Sequence, residues 1–178
     1  MRFLPFDLAG RLPIVATLLA AAPAMLSAPA ASAATRTEKS FGSWDVICVQ
    51  QDDNTPKRCT LLQSRVKPDG KQVVLVWSIS SGNKSELTQA VTVPAGVSVK
   101  EGVRLFIGDA EPLTMAYDVC GPRVCVAKGE VDDKLVGAIK ASQKASASYV
   151  QMSKQLLQVG LELTGFTDAY DYFLKQLS

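Results

Sequence analysis

Residues 115–130 read MAYDVCGPRVCVAKGE, and the reading of the central CGPRVC, Cys120 to Cys125, decides the fold class. Two cysteines at this spacing serve as a redox pair, as half of a metal site, or as a staple across a hairpin. A thioredoxin-like centre needs CxxC opening a helix, whereas Gly121-Pro122 is turn chemistry. Structural zinc sites leave roughly two to four residues between paired ligands, but the other two cysteines, Cys48 and Cys59, enclose ten residues. The flanks MAYDVC and VCVAKG look like strands, so the segment reads as a hairpin closed by a disulfide. The pattern recurs upstream, where WDVICV and CTLLQSRV flank the turn QQDDNTPKR. Four cysteines permit three pairings. Local closure, Cys48 with Cys59 and Cys120 with Cys125, is expected because each pair is already brought together by its own turn.

Disulfides persist in oxidising compartments, and the N-terminus offers the route to one. Arg2 and Arg11 precede and flank an apolar run, Leu12 to Leu26, followed by small residues that include Ala31-Ser32-Ala33. This is the layout of a secretory signal peptide. The run is broken by Pro23 and falls short of the roughly 20 apolar residues of a spanning helix. Cleavage after Ala33 is therefore expected, with residues 1–33 as leader and a periplasmic or secreted product that does not span the membrane. The leader holds two arginines and one aspartate, so the chain's net charge of +2 becomes +1 on its removal. A near-neutral chain with interspersed signs gives no electrostatic case for nucleic acid or for an anionic membrane. Histidine is absent, which excludes Ser-His-Asp and Cys-His catalysis, histidine-ligated metals and histidine pH switching.

The remaining residues predict a mostly β fold: a single disulfide-stapled β-sandwich or partly closed barrel with two short helices. Residues 34–40 read as a flexible polar lead, and 41–178 as one domain. Strands are expected over 44–50, 58–66, 72–80 and 86–93, with KPDG and Gly82-Asn83 as turns. QVVLVWSIS, residues 72–80, is apolar on both faces, as a central strand would be. Shorter strands are expected at 97–99, 104–107, 113–119 and 123–130, then at 146–152 and 155–163, where Gly160 suggests a bulge or close backbone approach. Asp132 reads as the cap of a helix bearing Leu135, Val136, Ala138 and Ile139 on one stripe. Thr167 reads as the cap of a last helix in which Phe166, Ala169, Tyr170, Phe173 and Leu177 recur at helical spacing.

Carboxylates are the remaining catalytic candidates: Asp52-Asp53, Asp132-Asp133, Asp168 and Asp171. Each has a plain role as turn residue, cap or solvated face. No phosphate-cradling, dinucleotide or EF-hand spacing is present, so no cofactor or metal is implied. Lys134, Lys140 and Lys144, with Arg123 and Lys128, read as solvated surface, and Trp44 and Trp77 as core.

Several motifs together resemble the invasion-associated locus B (IalB) family. They are Phe41-Gly42-Ser43-Trp44 with Cys48, Cys59 followed by Leu61 and Gln63, then VTVPAGVSVKEGVRLFIG, CGPRVCVA and LELTGFTDAYDYF. The resemblance implies an exported product, envelope-associated or secreted and linked to bacterial entry into host cells, with two cystines in one mostly β domain. It brings no catalytic residue set. The expected function is non-catalytic binding of an envelope component or a host-surface protein. A periplasmic stress or assembly factor is a second reading, favoured by an apolar groove beside an unpaired sheet edge. A carboxylate-dependent envelope hydrolase is a third. The loop 49–58, polar and tethered by a cystine, is the expected contact region, through Asp52, Asp53 and Lys57.

Overall fold

Along Trp44–Gln50, every second side chain turns inward: Trp44, Val46 and Cys48 are buried, while Asp45 and Ile47 are half-buried and Val49 is exposed. The same alternation recurs through the computed structural model, which describes residues 34–82 and 86–177. The expected leader lies outside those residues. In chain order the strands before the first helix are β1 (Thr35–Phe41), β2 (Trp44–Gln50), β3 (Arg58–Val66), β4 (Val73–Ser81), β5 (Leu87–Pro94), β6 (Val103–Ile107), β7 (Leu113–Met115), β8 (Tyr117–Cys120) and β9 (Val124–Glu130). Helix α1 (Asp133–Ala141), β10 (Ala145–Val150), β11 (Leu156–Leu161) and helix α2 (Phe166–Leu177) complete the chain.

The strands form two sheets. A seven-stranded sheet runs β1-β2-β3-β4-β5-β9-β8, and a four-stranded sheet runs β11-β10-β6-β7. Every pairing in both is antiparallel. Neither sheet closes on itself, so the fold is mostly β, sandwich-like and open. The core joins Leu61, Trp77, Ile79 and Val91 of the large sheet to Leu105, Ala147 and Tyr149 of the small one. β4 is the middle strand of seven, as its composition predicted, and it buries Leu75, Trp77 and Ile79 on its inner face. Helix α2 packs on β1, β2 and β3 and drives Phe166, Ala169, Tyr170 and Phe173 into the core. The Trp44 ring meets Phe166 at 5.0 Å and Trp77 at 5.2 Å, edge on in both cases.

Several boundaries differ from expectation for identifiable reasons. Of residues 34–40, read as a flexible lead, all but the first belong to edge strand β1, which pairs with β2 from Thr35–Gln50 to Phe41–Trp44. Their polarity reflects an edge position, where side chains stay exposed on both faces. The single strand expected over 113–119 is two: the chain leaves the small sheet after Met115 and enters the large sheet at Tyr117. Residues 97–99 contribute only an isolated bridge, Val97 to Gln151. Gly160 makes no bulge and no close approach. It stands opposite Ser146 in unbroken register, and a Cβ there would meet nothing within 4 Å.

The two helix starts divide in the same way. Asp132 caps α1 as predicted, its carboxylate accepting from the Leu135 N–H at 2.7 Å. Thr167 does not cap α2, which already begins at Phe166. The start is fixed by a backbone crossing instead. Gly165 sits at φ +86°, and a Cβ on it would strike the Phe41 carbonyl. Across the contact Gly42, at φ +63°, faces the Thr164 carbonyl. Only glycine allows both left-handed backbone and so close an approach.

Candidate functional site

Both cysteine pairs close locally, Cys48–Cys59 and Cys120–Cys125, and among the described residues no cysteine is free. Each pair occupies directly opposed positions on neighbouring strands, β2–β3 and β8–β9. Each disulfide therefore staples two neighbouring strands, and none of the four sulfurs is a free thiol. Among the described residues no group of three or more Cys, Asp or Glu side chains could hold a metal ion.

The loop between β2 and β3 is organised by its own hydrogen bonds. The Asp52 carboxylate accepts from the Asn54 N–H at 2.9 Å, and the Asp52 carbonyl accepts from the Thr55 N–H and hydroxyl. This is an Asx-type turn. Lys57 reaches across to α2, donating from Nζ to Gln176 Oε1 at 3.2 Å. Asp52, Asp53 and Lys57 are all exposed, but the structure does not bring them together around one cavity. The nearby depression, about 190 Å³, is lined by Val49, Gln51, Thr55, Pro56 and Arg58 instead.

A larger concavity opens elsewhere. Between α1 and the β6–β7 hairpin lies a groove of about 420 Å³. Its apolar wall includes Leu105 and Ile107 from β6, Leu113 from β7, and Leu135 and Ala138 from α1. Its polar lining is Glu111, Glu130, Asp132 and Lys134, three carboxylates against one cation. β7 is the end strand of the small sheet, so the groove lies beside an open sheet edge. The geometry explains a feature of α1: Val136 and Ile139 are buried, whereas Leu135 and Ala138, on the same predicted stripe, are only partly covered because they face this opening. The helical spacing places all four on one apolar stripe without distinguishing the buried pair from the partly open one. An apolar helical stripe broader than its sheet contact was the available signal.

The other candidates scatter. Asp171 pairs with Lys140 at 3.1 Å and Asp118 with Lys128 at 2.7 Å, so these cations act within surface ion pairs and not as one basic patch. Trp44 and Trp77 are fully buried. Each indole N–H is satisfied, by the Glu162 carbonyl at 3.0 Å and by Gln89 Oε1 at 3.1 Å. Neither offers a stacking surface. Two tyrosines near the sheet interface have displaced acidities. Burial, with the neighbouring Tyr149 as the lesser cause, pushes Tyr117 up to about 12, and burial also raises Tyr149. The Tyr149 hydroxyl donates to the Val74 carbonyl at 3.1 Å, while the buried Tyr117 hydroxyl finds no partner among the described residues.

A two-sheet β scaffold with two cross-strand cystines and an acid-rimmed apolar groove defines the class. The family model for the invasion associated locus B (IalB) protein matches residues 44–173, and the chain belongs to this family. It is 28% identical over 135 residues to Invasion protein B of Bartonella bacilliformis, covering 74% of this chain and 71% of that one. It is 27% identical over 150 residues to an Invasion protein B homolog of Brucella abortus, covering 82% and 86%. The crystal structure of invasion associated protein B from Bartonella henselae superposes with a TM-score of 0.67 at 20% identity, covering 78% of this chain and 95% of that one, which establishes the shared fold. Among the described residues no helix is long and apolar enough to cross a membrane.

Proposed function

We propose that the protein is exported to the periplasm or beyond and acts there by binding a protein component of the envelope or of a host surface, without turnover. The observation that carries this reading is the groove between α1 and the β6–β7 hairpin. Leu113 and Leu135 stand partly uncovered there within reach of solvent, beside Glu111 and Glu130. Partly exposed apolar walls with a charged rim match the anatomy of a recognition surface. The relatives' names as invasion proteins support a place in the envelope or at a host surface. Export is supported by the two cystines, which persist outside reducing compartments.

The open edge of β7 beside this groove favours a second reading, in which the occupant is an unfolded or incompletely assembled envelope protein. A photocrosslinker placed at Leu113 and activated in intact envelopes tests both. A discrete adduct that disappears in Leu135→Asp supports a defined partner, and a ladder of many adducts supports the chaperone-like role. No adduct above that of an exposed control position overturns the groove. The triple replacement of Asp52, Asp53 and Lys57 by alanine reports whether the β2–β3 loop adds to the contact. Hydrolytic activity towards an envelope substrate that vanishes with Glu111→Gln or Glu130→Gln would replace binding by catalysis. Intact mass of the recovered protein reports whether residues 1–33 are removed.

A further inference from the structure

Four segments meet at the end of the large sheet opposite the β2–β3 loop. The β3–β4 turn, the stretch following β5 and the β8–β9 turn share this end because their strands alternate in direction. Pro94 stands opposite Val124, and the Ala95 N–H donates to the Arg123 carbonyl at 2.9 Å. The β10–β11 turn is tied to the same end. Val97 bridges to Gln151, the Ser98 N–H donates to the Val150 carbonyl at 2.7 Å, and the Met152 N–H donates to the Gly96 carbonyl at 2.8 Å.

Of the ten exposed large hydrophobic side chains among the described residues, six lie on these segments or on the strand ends that flank them: Val66, Val73, Val99, Val124, Met152 and Leu156. The three most exposed, Met152 at 76%, Leu156 at 63% and Val99 at 60%, stand on the two segments joined at Val97 and Gln151. Single exposed apolar residues are ordinary, but their gathering at the turns and strand ends of one end marks an interaction surface. The charge there is lopsided. The turn segments carry Lys67, Lys71, Lys100, Arg123 and Lys154 against Asp69 and Glu101, a net +3 that exceeds the +2 of the entire chain. All seven are exposed. Lys154 also holds φ +65°, alone among the described non-glycine residues in the left-handed region. That hairpin position favours glycine, and a cation occupies it.

We propose that this end is a contact surface for an anionic phospholipid bilayer. Apolar side chains at these turns and strand ends enter the headgroup boundary while surrounding cations meet lipid phosphates. The excess of cations over carboxylates selects an anionic surface over a neutral one. This surface is independent of the groove beside α1.

Cosedimentation of the exported protein with phosphatidylcholine vesicles, with and without phosphatidylglycerol, tests the proposal. Binding is expected only where phosphatidylglycerol is present, and it weakens as salt screens the cations. Met152→Asp with Leu156→Asp lowers the partition by about tenfold or more, with unchanged thermal unfolding. Lys100→Glu with Arg123→Glu lowers it by about fivefold or more at low salt. Should the aspartate pair disturb folding, Met152→Ser with Leu156→Ser replaces it. Leu113→Asp in the groove leaves the partition unchanged. Absence of vesicle binding, or binding indifferent to lipid charge, salt and both variant pairs, overturns the proposal. So does a concentration-dependent dimer that Met152→Asp abolishes in a protein that ignores vesicles, since a second copy then covers this end.

Discussion

The side-chain amide of Gln63 pairs with the backbone of Glu162, 99 residues away, through two hydrogen bonds: Nε2 donates to the Glu162 carbonyl at 3.0 Å, and Oε1 accepts from its N–H at 3.1 Å. The same carbonyl accepts from the Trp44 indole. A side chain here does what a neighbouring strand would do, satisfying a peptide unit that leads from β11 towards α2. Gln63 is almost wholly buried, so nothing else is at hand to replace it. Gln63→Leu preserves much of the volume but strands the Glu162 N–H, and we expect a loss of about 1–3 kcal/mol. Urea unfolding measures it, and a change under about 0.5 kcal/mol would show that the amide is dispensable.

Gly165 controls where α2 starts. Alanine there meets both an unfavourable left-handed backbone and a collision with the Phe41 carbonyl. The backbone strain alone is about 1–2 kcal/mol, so Gly165→Ala should destabilise by at least about 2 kcal/mol once the collision is added. Gly160→Ala, in open space on β11, serves as the control and should be neutral or slightly stabilising.

Phe173 is fully buried on the inner face of α2, near Tyr170. Truncation to alanine removes that burial and leaves a cavity. Phe173→Ala should cost about 3–5 kcal/mol in denaturant unfolding. A loss below about 1 kcal/mol would mean that α2 is not anchored through this ring.

Tyr117 makes stability depend on alkaline pH. Its hydroxyl ionises near the usual value of 10.0 in the unfolded chain but only at about 12 in the folded one. The folded state therefore retains a proton that the unfolded state has lost, and stability falls as pH rises between those values. Tyr117→Phe should flatten that fall. At neutral pH the same variant should be neutral or stabilising, because it removes a buried hydroxyl that lacks a partner. Thermal melts across the alkaline range decide both points, and a slope identical in both proteins would assign the loss to other groups.

Much of this architecture was legible in short stretches of sequence. Alternation in 44–50 and 58–66 and the turn chemistry of CGPRVC determine which residues face inward and which cysteines pair, because period, turn and local closure are properties of adjacent residues. Helical spacing placed Phe166 and Phe173 on one buried face in the same way. Only the tertiary structure decided that 113–119 divides between two sheets, that the polar residues 35–41 pair as an edge strand, and that Gly165 rather than Thr167 sets the start of α2. The same holds for the groove, which exists because α1 covers the sheet with Val136 and Ile139 and leaves Leu135 and Ala138 towards the opening. It holds also for the cations of the far turns, hidden in a near-neutral total until four separate segments are folded to one end. These outcomes depend on contacts between residues far apart in the chain, and no local period or turn signal encodes which distant partner a strand, helix or loop will meet.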